Sequence, residues 1–204
     1  MIRSNLWALL ALVAHRTHTI SIGPGVAIPA LAMAPVTANA IATINAIAPG
    51  RTFLGVGTGN TALRAMGQLP MGIAEFRAQL KVIRGLISGE TVTFDANGLS
   101  EEIAFQSLEL GYINLDDPIP IHVSGFGPKA QTLAGEYGEA LITGIPRGGS
   151  ISGALENAEI GAARSGRTMD HFETYALVNL MLLRNGETLQ SARVLEEVGS
   201  SIMV

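Results

Sequence analysis

Cysteine is absent from the 204-residue chain, and its absence excludes two kinds of site. Without thiols the protein can form neither a disulfide framework nor a thiolate metal centre. The histidines and carboxylates show no spacing typical of a metal-ligand cluster, so we predict no bound metal. A chain without cysteine fits the reducing cytoplasm, which is the location we predict.

Charge and long apolar runs are scarce as well. Thirteen Lys and Arg stand against 17 Asp and Glu, a net charge of −4 without basic clusters, which excludes nucleic acid and anionic membrane surfaces as main partners. The apolar run over Leu6–His15 covers about ten residues, whereas a membrane span needs roughly 20. A signal peptide is disfavoured because no small-residue cleavage site follows, and we predict a buried helix there.

Apolar residues are abundant: they make up 48% of the chain against 15% charged residues, a balance typical of a compact core. The length suits one domain, and we predict a single domain over residues 1–204. Within it, residues 90–118 change character. They carry VTF, the turn sequence Asp95–Gly98 and a second apolar segment, which predicts an inserted excursion such as a hairpin.

The stretch Thr52–Gly59, TFLGVGTG, organises the rest of the chain. It reads as a buried strand that ends in a glycine turn before a helix, and α/β proteins bind ligands at such junctions because backbone N–H groups are free there. A lone GxG turn is as often only a tight turn that requires positive φ. A second junction of the same kind follows the predicted strand Ile119–Val123, where Ser124–Lys129 leads into a helix.

Helices and strands alternate along the chain. Besides the two strands above, the pattern predicts strands at Ile20–Gly23, Ala140–Thr143 and Thr174–Leu183. Helices are predicted at Val36–Ala48, Ala62–Met66, Met71–Ser88, Ala130–Tyr137, Ile151–Arg164 and from Glu187 onward. Strict alternation implies a parallel sheet, either an open doubly wound sheet or a closed barrel. In both architectures the glycine junctions lie at the carboxyl ends of the strands, where active sites form.

Two segments carry a specific resemblance. Ile41–Gly67 and Pro118–Gly144, with APGR, LGxGxG and SGxGPKA at this spacing, resemble the luciferase-like superfamily of flavin- and deazaflavin-dependent oxidoreductases, which are (β/α)8 TIM barrels. The resemblance implies an incomplete barrel that holds about strands three to seven. Open strand edges at Ile20–Gly23 and Thr174–Leu183 then imply a homo-oligomer or self-association, and a cofactor pocket that lacks a wall and binds poorly.

The family pattern also implies which residues bind the cofactor. The loop Gly57, Thr58 and Gly59 and the helix start formed by Gly125, Phe126, Gly127, Pro128 and Lys129 correspond to the cofactor's phosphate site. Some relatives have an arginine where Thr58 stands, and the Thr58 hydroxyl and neighbouring amides can donate in its place. The pair Gly25 and Val26 corresponds to a non-proline cis peptide beneath the flavin ring.

For activity, the resemblance implies a flavin-dependent oxidoreductase, a monooxygenase that uses reduced FMN and acts on a small organic substrate, with a flavin reductase as a candidate supplier. The alternatives are a deazaflavin-dependent hydride transferase or a truncated flavin-binding relative without catalysis. The sequence identifies no catalytic residue. We predict that His122 is a hydrogen-bonded core residue rather than a base, and that His15 and His18 cap a helix end.

Overall fold

The computed structural model describes residues 5–145, 149–178 and 180–202. Its helices are α1 Leu6–Arg16, α2 Ala34–Ile47, α3 Asn60–Ala65, α4 Ile73–Ile87, α5 Pro128–Tyr137, α6 Ser152–Arg164 and α7 Ala192–Ile202. Its strands are β1 Leu54–Val56, β2 Val92–Ala96, β3 Leu99–Ile103, β4 Ile121–Ser124, β5 Ala140–Gly144 and β6 Glu173–Leu177. Among the described helices, none is long and apolar enough to cross a membrane.

Four of the strands form one parallel sheet in the order β1-β4-β5-β6, which is also their order along the chain. Residues 22–27 continue the sheet beyond β1 through two parallel bridges, Ile22 to Thr52 and Ala27 to Val56. A doubly wound sheet reverses its strand order in the middle, and this sheet does not. The arrangement is therefore the wall of a barrel.

The two faces of the wall differ in what covers them. Alternation along each strand sends Leu54, Val56, Ile121, Val123 and Leu141 outward, where the helices bury them completely. The amphipathic helix α4 contributes Phe76, Leu80, Ile83 and Ile87 to the same core, as its sequence pattern predicts. The opposite, inward face carries the intervening residues and borders a cavity.

Helices α5 and α6 touch backbone to backbone. A Cβ atom added at Gly135 would lie 1.8 Å from the Ala158 carbonyl oxygen, and one added at Gly161 would lie 1.9 Å from the Thr132 carbonyl oxygen. Each glycine is therefore required by this close approach. The contact holds α5, and with it the loop that precedes α5, at a fixed position on the sheet.

The excursion predicted at residues 90–118 contains the antiparallel hairpin β2–β3. Its turn residues Asn97 and Gly98 have φ of 54° and 78°, the left-handed values that an Asn-Gly turn between two strands requires.

A dense polar network lies at the amino-terminal edge of the sheet, around Glu139. Its carboxylate accepts hydrogen bonds from the Arg84 guanidinium at 2.7 Å, from Arg167 at 2.7 Å and from the Ile121 backbone N–H at 2.8 Å. Burial by itself raises the pKa of Glu139, but these donors and the Arg84 charge hold that pKa below its ordinary value. The group joins α4, β4 and β5 at one point.

Arg51 performs a similar structural role at the same edge. Its guanidinium donates to the backbone oxygens of Ala14, Thr17 and Ile20 at 3.2, 2.9 and 2.9 Å. These acceptors lie at and beyond the carboxyl end of α1, so Arg51 caps that end. The prediction that His15 and His18 provide the cap is wrong: within the described ranges neither side chain makes a hydrogen bond.

Some predicted boundaries need correction. The strand predicted at Ile20–Gly23 forms only single bridges, because Pro24 and Gly25 interrupt the ladder. The strand predicted at Thr174–Leu183 ends at Leu177, since β5, its partner, ends at Gly144, and residue 179 of that prediction lies outside the described ranges. The helix predicted from Glu187 begins at Ala192, because Thr188 and Ser191 first form a hydrogen-bonded turn.

Candidate active site

The two glycine junctions lie side by side at the carboxyl edge of the sheet. Strands β1 and β4 are parallel neighbours with Val56 opposite Val123, so the loops that follow them leave the sheet at the same edge. A Cβ atom added at Gly57 would lie 3.2 Å from the Ser124 Cβ atom. The two loops predicted from sequence are therefore adjacent in space, and Gly57 is the point where they meet.

The backbone amides of these loops divide into two groups. The Gly57 N–H donates to the Ala27 carbonyl at 3.0 Å and the Gly125 N–H to the Ile142 carbonyl at 2.9 Å, so both serve the sheet. In the described part of the chain, the N–H groups of Thr58, Gly59, Phe126 and Gly127 have no hydrogen-bond partner. These four loop amides are available to an anion at this edge, beside the first-turn amides of α3 and α5.

Gly59 positions the start of α3. Its φ is 78°, and a Cβ atom there would lie 2.5 Å from Ile28 Cγ2. An L-side chain would be strained by the backbone conformation and would also collide with Ile28. The glycine is thus fixed by local structure, independently of any ligand.

The segment before β1 folds over the inward face of the sheet. The Gly25–Val26 peptide bond is cis, as the resemblance predicts. A Cβ atom at Gly55 would lie 2.0 Å from the Pro24 carbonyl oxygen, and one at Gly57 would lie 3.1 Å from Val26 Cγ2. The two strand glycines therefore leave room for the Pro24–Val26 segment to lie directly on β1.

The inward face lines an open cavity of about 1770 Å³. All ten residues predicted to bind the cofactor fall on its border or on the loops that enclose it. Nine of them line the cavity directly, and these are Gly25, Val26, Gly57, Thr58, Gly59, Phe126, Gly127, Pro128 and Lys129. Gly125 does not line the cavity, because its N–H donates to the Ile142 carbonyl in the sheet and the residue packs under the backbone of α5.

The floor of the cavity carries an aromatic stack that joins β4, β6 and the residue before β1. The His122 ring stacks on Phe53 at a centroid distance of 4.5 Å and on Tyr175 at 5.0 Å. Tyr175 reaches His122 across β5, where Ala140 stands opposite His122 and leaves space. The Tyr175 hydroxyl donates a hydrogen bond to the Glu173 carboxylate on the same strand.

This arrangement tests the prediction for His122. The residue is buried, as predicted, but among the described residues its ring nitrogens have no hydrogen-bond partner, so stacking rather than hydrogen bonding holds it. Burial lowers the pKa of His122 below its ordinary value, although the carboxylates of Glu173 and Glu139 act in the opposite direction. A neutral imidazole at the edge of the cavity results.

Sequence reasoning overlooked Glu173 and Tyr175. The hydrogen bond to Glu173, followed by burial, raises the pKa of Tyr175, so its hydroxyl keeps its proton at neutral pH. A signal was available in the sequence, because Glu173, Tyr175 and Leu177 alternate along β6 and must therefore share the inward face. All three residues line the cavity.

The comparisons with known proteins agree with this geometry. The family model for luciferase-like monooxygenases matches residues 2–198. The chain is 31% identical over 190 residues to a 5,10-methylenetetrahydromethanopterin reductase of Archaeoglobus fulgidus, which covers 92% of this chain and 55% of the relative. It is 34% identical over 172 residues to an F420-dependent glucose-6-phosphate dehydrogenase of Beutenbergia cavernae, covering 78% and 48%.

Solved structures show the same fold. An F420-dependent secondary alcohol dehydrogenase in complex with an F420-acetone adduct superposes with a TM-score of 0.68 at 26% identity, over 84% of this chain and 53% of that one. The chain spans about half the length of the curated relatives it matches. Together with the parallel sheet, these matches confirm the predicted α/β fold of the TIM-barrel type, present in part. The chain belongs to the luciferase-like monooxygenase family.

Proposed function

We propose that the protein is an oxidoreductase that binds a flavin-type cofactor in the cavity at the carboxyl edge of its sheet. One observation carries the proposal: two glycine loops with four free backbone amides converge beside the Gly25–Val26 peptide, above an open cavity. Concave sites at the carboxyl ends of parallel strands are where this architecture binds ligands.

The residues present fit such a cofactor. The N–H groups of Thr58, Gly59, Phe126 and Gly127, with the Lys129 ammonium at the start of α5, suit the cofactor's phosphate, since helix starts and turns attract anions. Gly57 has no side chain at the point where both loops meet, so the cofactor can lie against the sheet there. Val26 would then support the ring system from below.

Between the two flavin types, we favour a deazaflavin and hydride transfer. The relatives described above that exceed 30% identity are a methylenetetrahydromethanopterin reductase and an F420-dependent dehydrogenase. Bound in the cavity, this cofactor supplies the hydride chemistry, whereas the protein supplies binding, orientation and exclusion of water. The substrate is a small organic molecule that binds in the cavity, against the inward face of the sheet.

A monooxygenase that uses reduced FMN is the second candidate, because the matching family model describes luciferase-like monooxygenases. A flavin reductase would then be the partner that supplies the reduced cofactor. A truncated relative that binds flavin without catalysis is the third candidate, which an assay of substrate turnover with the bound cofactor separates from the other two. The cytoplasmic location stays a prediction.

Equilibrium dialysis of the chain against F420 and against FMN, with the bound fraction read from cofactor absorbance, tests the proposal. We expect F420 to bind at least tenfold more tightly than FMN. Tighter binding of FMN would favour the monooxygenase. Absence of binding for both cofactors at millimolar concentration would contradict the proposed site.

Self-association is a separate proposal, which rests on the open edges of the sheet. Residues 22–27 and β6 each have a sheet neighbour on one side only within the described ranges. Unpaired strand edges favour pairing with another chain. We expect light scattering to show a dimer or larger species, and a monodisperse monomer would contradict this.

A further inference from the structure

A large apolar side chain is exposed in the cavity at the carboxyl edge of the sheet. Phe126 lies two residues beyond the end of β4, lines the cavity and is 64% exposed. Its ring lies against β5, because a Cβ atom added at Gly144 would be 3.2 Å from the ring. Strand β4 separates β1 from β5, so the ring lies on the side of its loop that is away from Gly57–Gly59.

Gly144 makes room for this ring. It is the last residue of β5 and its φ lies outside the left-handed region, so the backbone conformation does not require glycine there. Within the described ranges, the Phe126 ring is the only group within 4 Å of an added Cβ atom. The position of the ring over the end of β5 is therefore built into the neighbouring strand.

Two isoleucines extend the apolar surface around the ring. Ile142 lies two residues before Gly144 on the same face of β5, Ile145 follows the strand, and both line the cavity. We call Phe126, Ile142 and Ile145 the apolar shelf. Beside it, opposite Ile142 on β4, the Ser124 hydroxyl makes no hydrogen bond in the described part of the chain.

We propose that the apolar shelf holds the hydrocarbon part of the substrate, an alkyl or aryl group, beside the cofactor. The inference deepens the proposed function and rests on it, because it takes the cofactor cavity as the substrate site. The cavity of about 1770 Å³ exceeds the roughly 300–1,000 Å³ of a site for one ligand, so it has room for both molecules. Strands β1 and β5 are two sheet spacings apart, about 10 Å, so the shelf lies beside a ring supported by Val26.

The chemistry of the shelf favours a hydrocarbon group. A phenyl ring and two branched side chains offer no hydrogen bonds, and a hydrocarbon that covers them removes their surface from water. Single exposed apolar residues are common, but several that meet in a concave site are typical of ligand binding. The Ser124 hydroxyl can hydrogen-bond a neutral polar group of the same substrate. A neutral alcohol with a hydrocarbon chain is therefore a suitable probe.

Three 1-alkanols of increasing length test the inference. 1-Butanol, 1-pentanol and 1-hexanol share one head group, and their binding to the whole chain is followed by NMR of labelled Phe and Ile side chains. We expect affinity to rise about threefold per CH2 group, with shifts of the Phe126 ring and Ile142 methyl signals. Affinity that does not depend on length, or binding without shifts at either residue, would overturn the inference.

Substitutions assign the effect to the shelf. Phe126→Ala removes the ring, and we expect 1-hexanol affinity to fall about fivefold, whereas Phe126→Leu keeps an apolar side chain and should lose about twofold. Gly144→Ala displaces the ring and should also lose about twofold. The matched control is Tyr112→Ala, which removes an exposed aromatic ring that does not line the cavity and should leave the affinity unchanged.

The exposed position of the ring keeps this test decisive. Because Phe126 is mostly exposed, Phe126→Ala should stay folded, which urea denaturation checks. Unchanged 1-hexanol affinity in the folded Phe126→Ala variant would contradict the proposal.

Titrations with and without F420 separate this inference from the proposed function. If F420 binds and 1-hexanol affinity does not respond to Phe126→Ala, the substrate inference alone is wrong. If the dependence on chain length is present and is lost in Phe126→Ala while neither F420 nor FMN binds, the proposed function is wrong and the shelf still binds hydrocarbon. Comparison of the variants at saturating F420 keeps any change of cofactor affinity out of the result.

Discussion

The two edges of the parallel sheet differ in how completely their polar groups are paired. At the amino edge, Glu139 accepts bonds from two arginines and a backbone amide, and Arg51 caps α1. At the carboxyl edge, the amides of Thr58, Gly59, Phe126 and Gly127 have no partner within the described ranges. The paired edge stabilises the fold, and the unpaired edge is available to a ligand.

Helix α5 connects the two edges. Pro128 and Lys129 begin it beside the glycine loop, and Tyr137 ends it, where its carbonyl accepts a hydrogen bond from the Arg84 side chain at 3.1 Å. Substitutions near the two ends of α5 can therefore show whether folding stability and cofactor binding depend on different edges of the sheet. If each edge has the role we assign to it, variants at the amino edge should lower the free energy of unfolding with little effect on cofactor affinity. Variants at the carboxyl edge should lower cofactor affinity with a smaller effect on stability.

The largest effect is expected for Glu139→Ala. It leaves Arg84, Arg167 and the Ile121 N–H without their acceptor, and we expect a loss of about 2–3 kcal/mol in the free energy of unfolding after allowance for partial exposure. Urea denaturation measures it. F420 affinity, measured below the unfolding transition, should stay within about twofold.

The control for Glu139→Ala is Glu102→Ala on the exposed strand β3, which should change stability by less than about 0.5 kcal/mol. Equal effects of the two substitutions would show that the network at the amino edge contributes nothing specific to stability.

At the carboxyl edge, Gly57→Ala places a Cβ atom 3.1 Å from Val26 and 3.2 Å from Ser124. We expect F420 affinity to fall about tenfold, or about 1.4 kcal/mol, because the methyl group occupies the meeting point of the two loops. Stability should fall by only about 1 kcal/mol. Gly153→Ala in the first turn of α6, where a Cβ atom meets open space, should leave affinity unchanged. An unaltered affinity in Gly57→Ala would place the cofactor elsewhere.

The pH dependence of stability should show two separate steps. His122 has a lowered pKa when folded, so the unfolded chain binds its proton first, and stability declines as the pH falls below about 6.5. The pKa of Glu139 is lowered too, and its contribution is lost only as the pH falls below about 4.5. Urea denaturation between pH 8 and pH 3.5 measures both steps. His122→Phe should remove the upper step. Glu139→Ala should reduce the lower step without removing it, because the hydrogen bond from Arg193 lowers the pKa of Glu187 to about 2 and that group contributes in the same range. A lower step that is unchanged in Glu139→Ala would contradict the account.

The smallest effect is expected for Lys129→Ala. The side chain is exposed, so we expect F420 affinity to fall about threefold at low ionic strength and the loss to vanish in 1 M salt. Affinity is measured by dialysis at both salt concentrations. A loss of more than tenfold that does not depend on salt would show that Lys129 makes a buried, direct contact with the cofactor.

The sequence predicts the features that depend on neighbouring residues. The strand–glycine–helix junctions at Gly57–Gly59 and Gly125–Lys129, the Asn97-Gly98 hairpin and the buried stripe of α4 all follow from local patterns of glycine, asparagine and apolar residues. The parallel order of the sheet followed from the alternation of strands and helices. Each of these predictions agrees with the structure.

Features that depend on residues far apart in the sequence could not be predicted from such local patterns. The stack of Phe53, His122 and Tyr175 joins segments more than 50 residues apart and depends on the small side chain at Ala140. The end of β6 is set by the length of β5 and not by the apolar run in its own sequence. Such properties arise from register between strands, which a local pattern does not contain.

Chemical-shift mapping of the isotopically labelled chain with F420 tests the division between the two edges most directly. The backbone amide resonances of Thr58, Gly59, Phe126 and Gly127 should shift in proportion to cofactor bound, because these amides gain a hydrogen-bond acceptor. Those of Arg84 and Glu139 should stay unchanged. Shifts concentrated at the amino edge, or binding that leaves the four loop amides unperturbed, would contradict the proposed site.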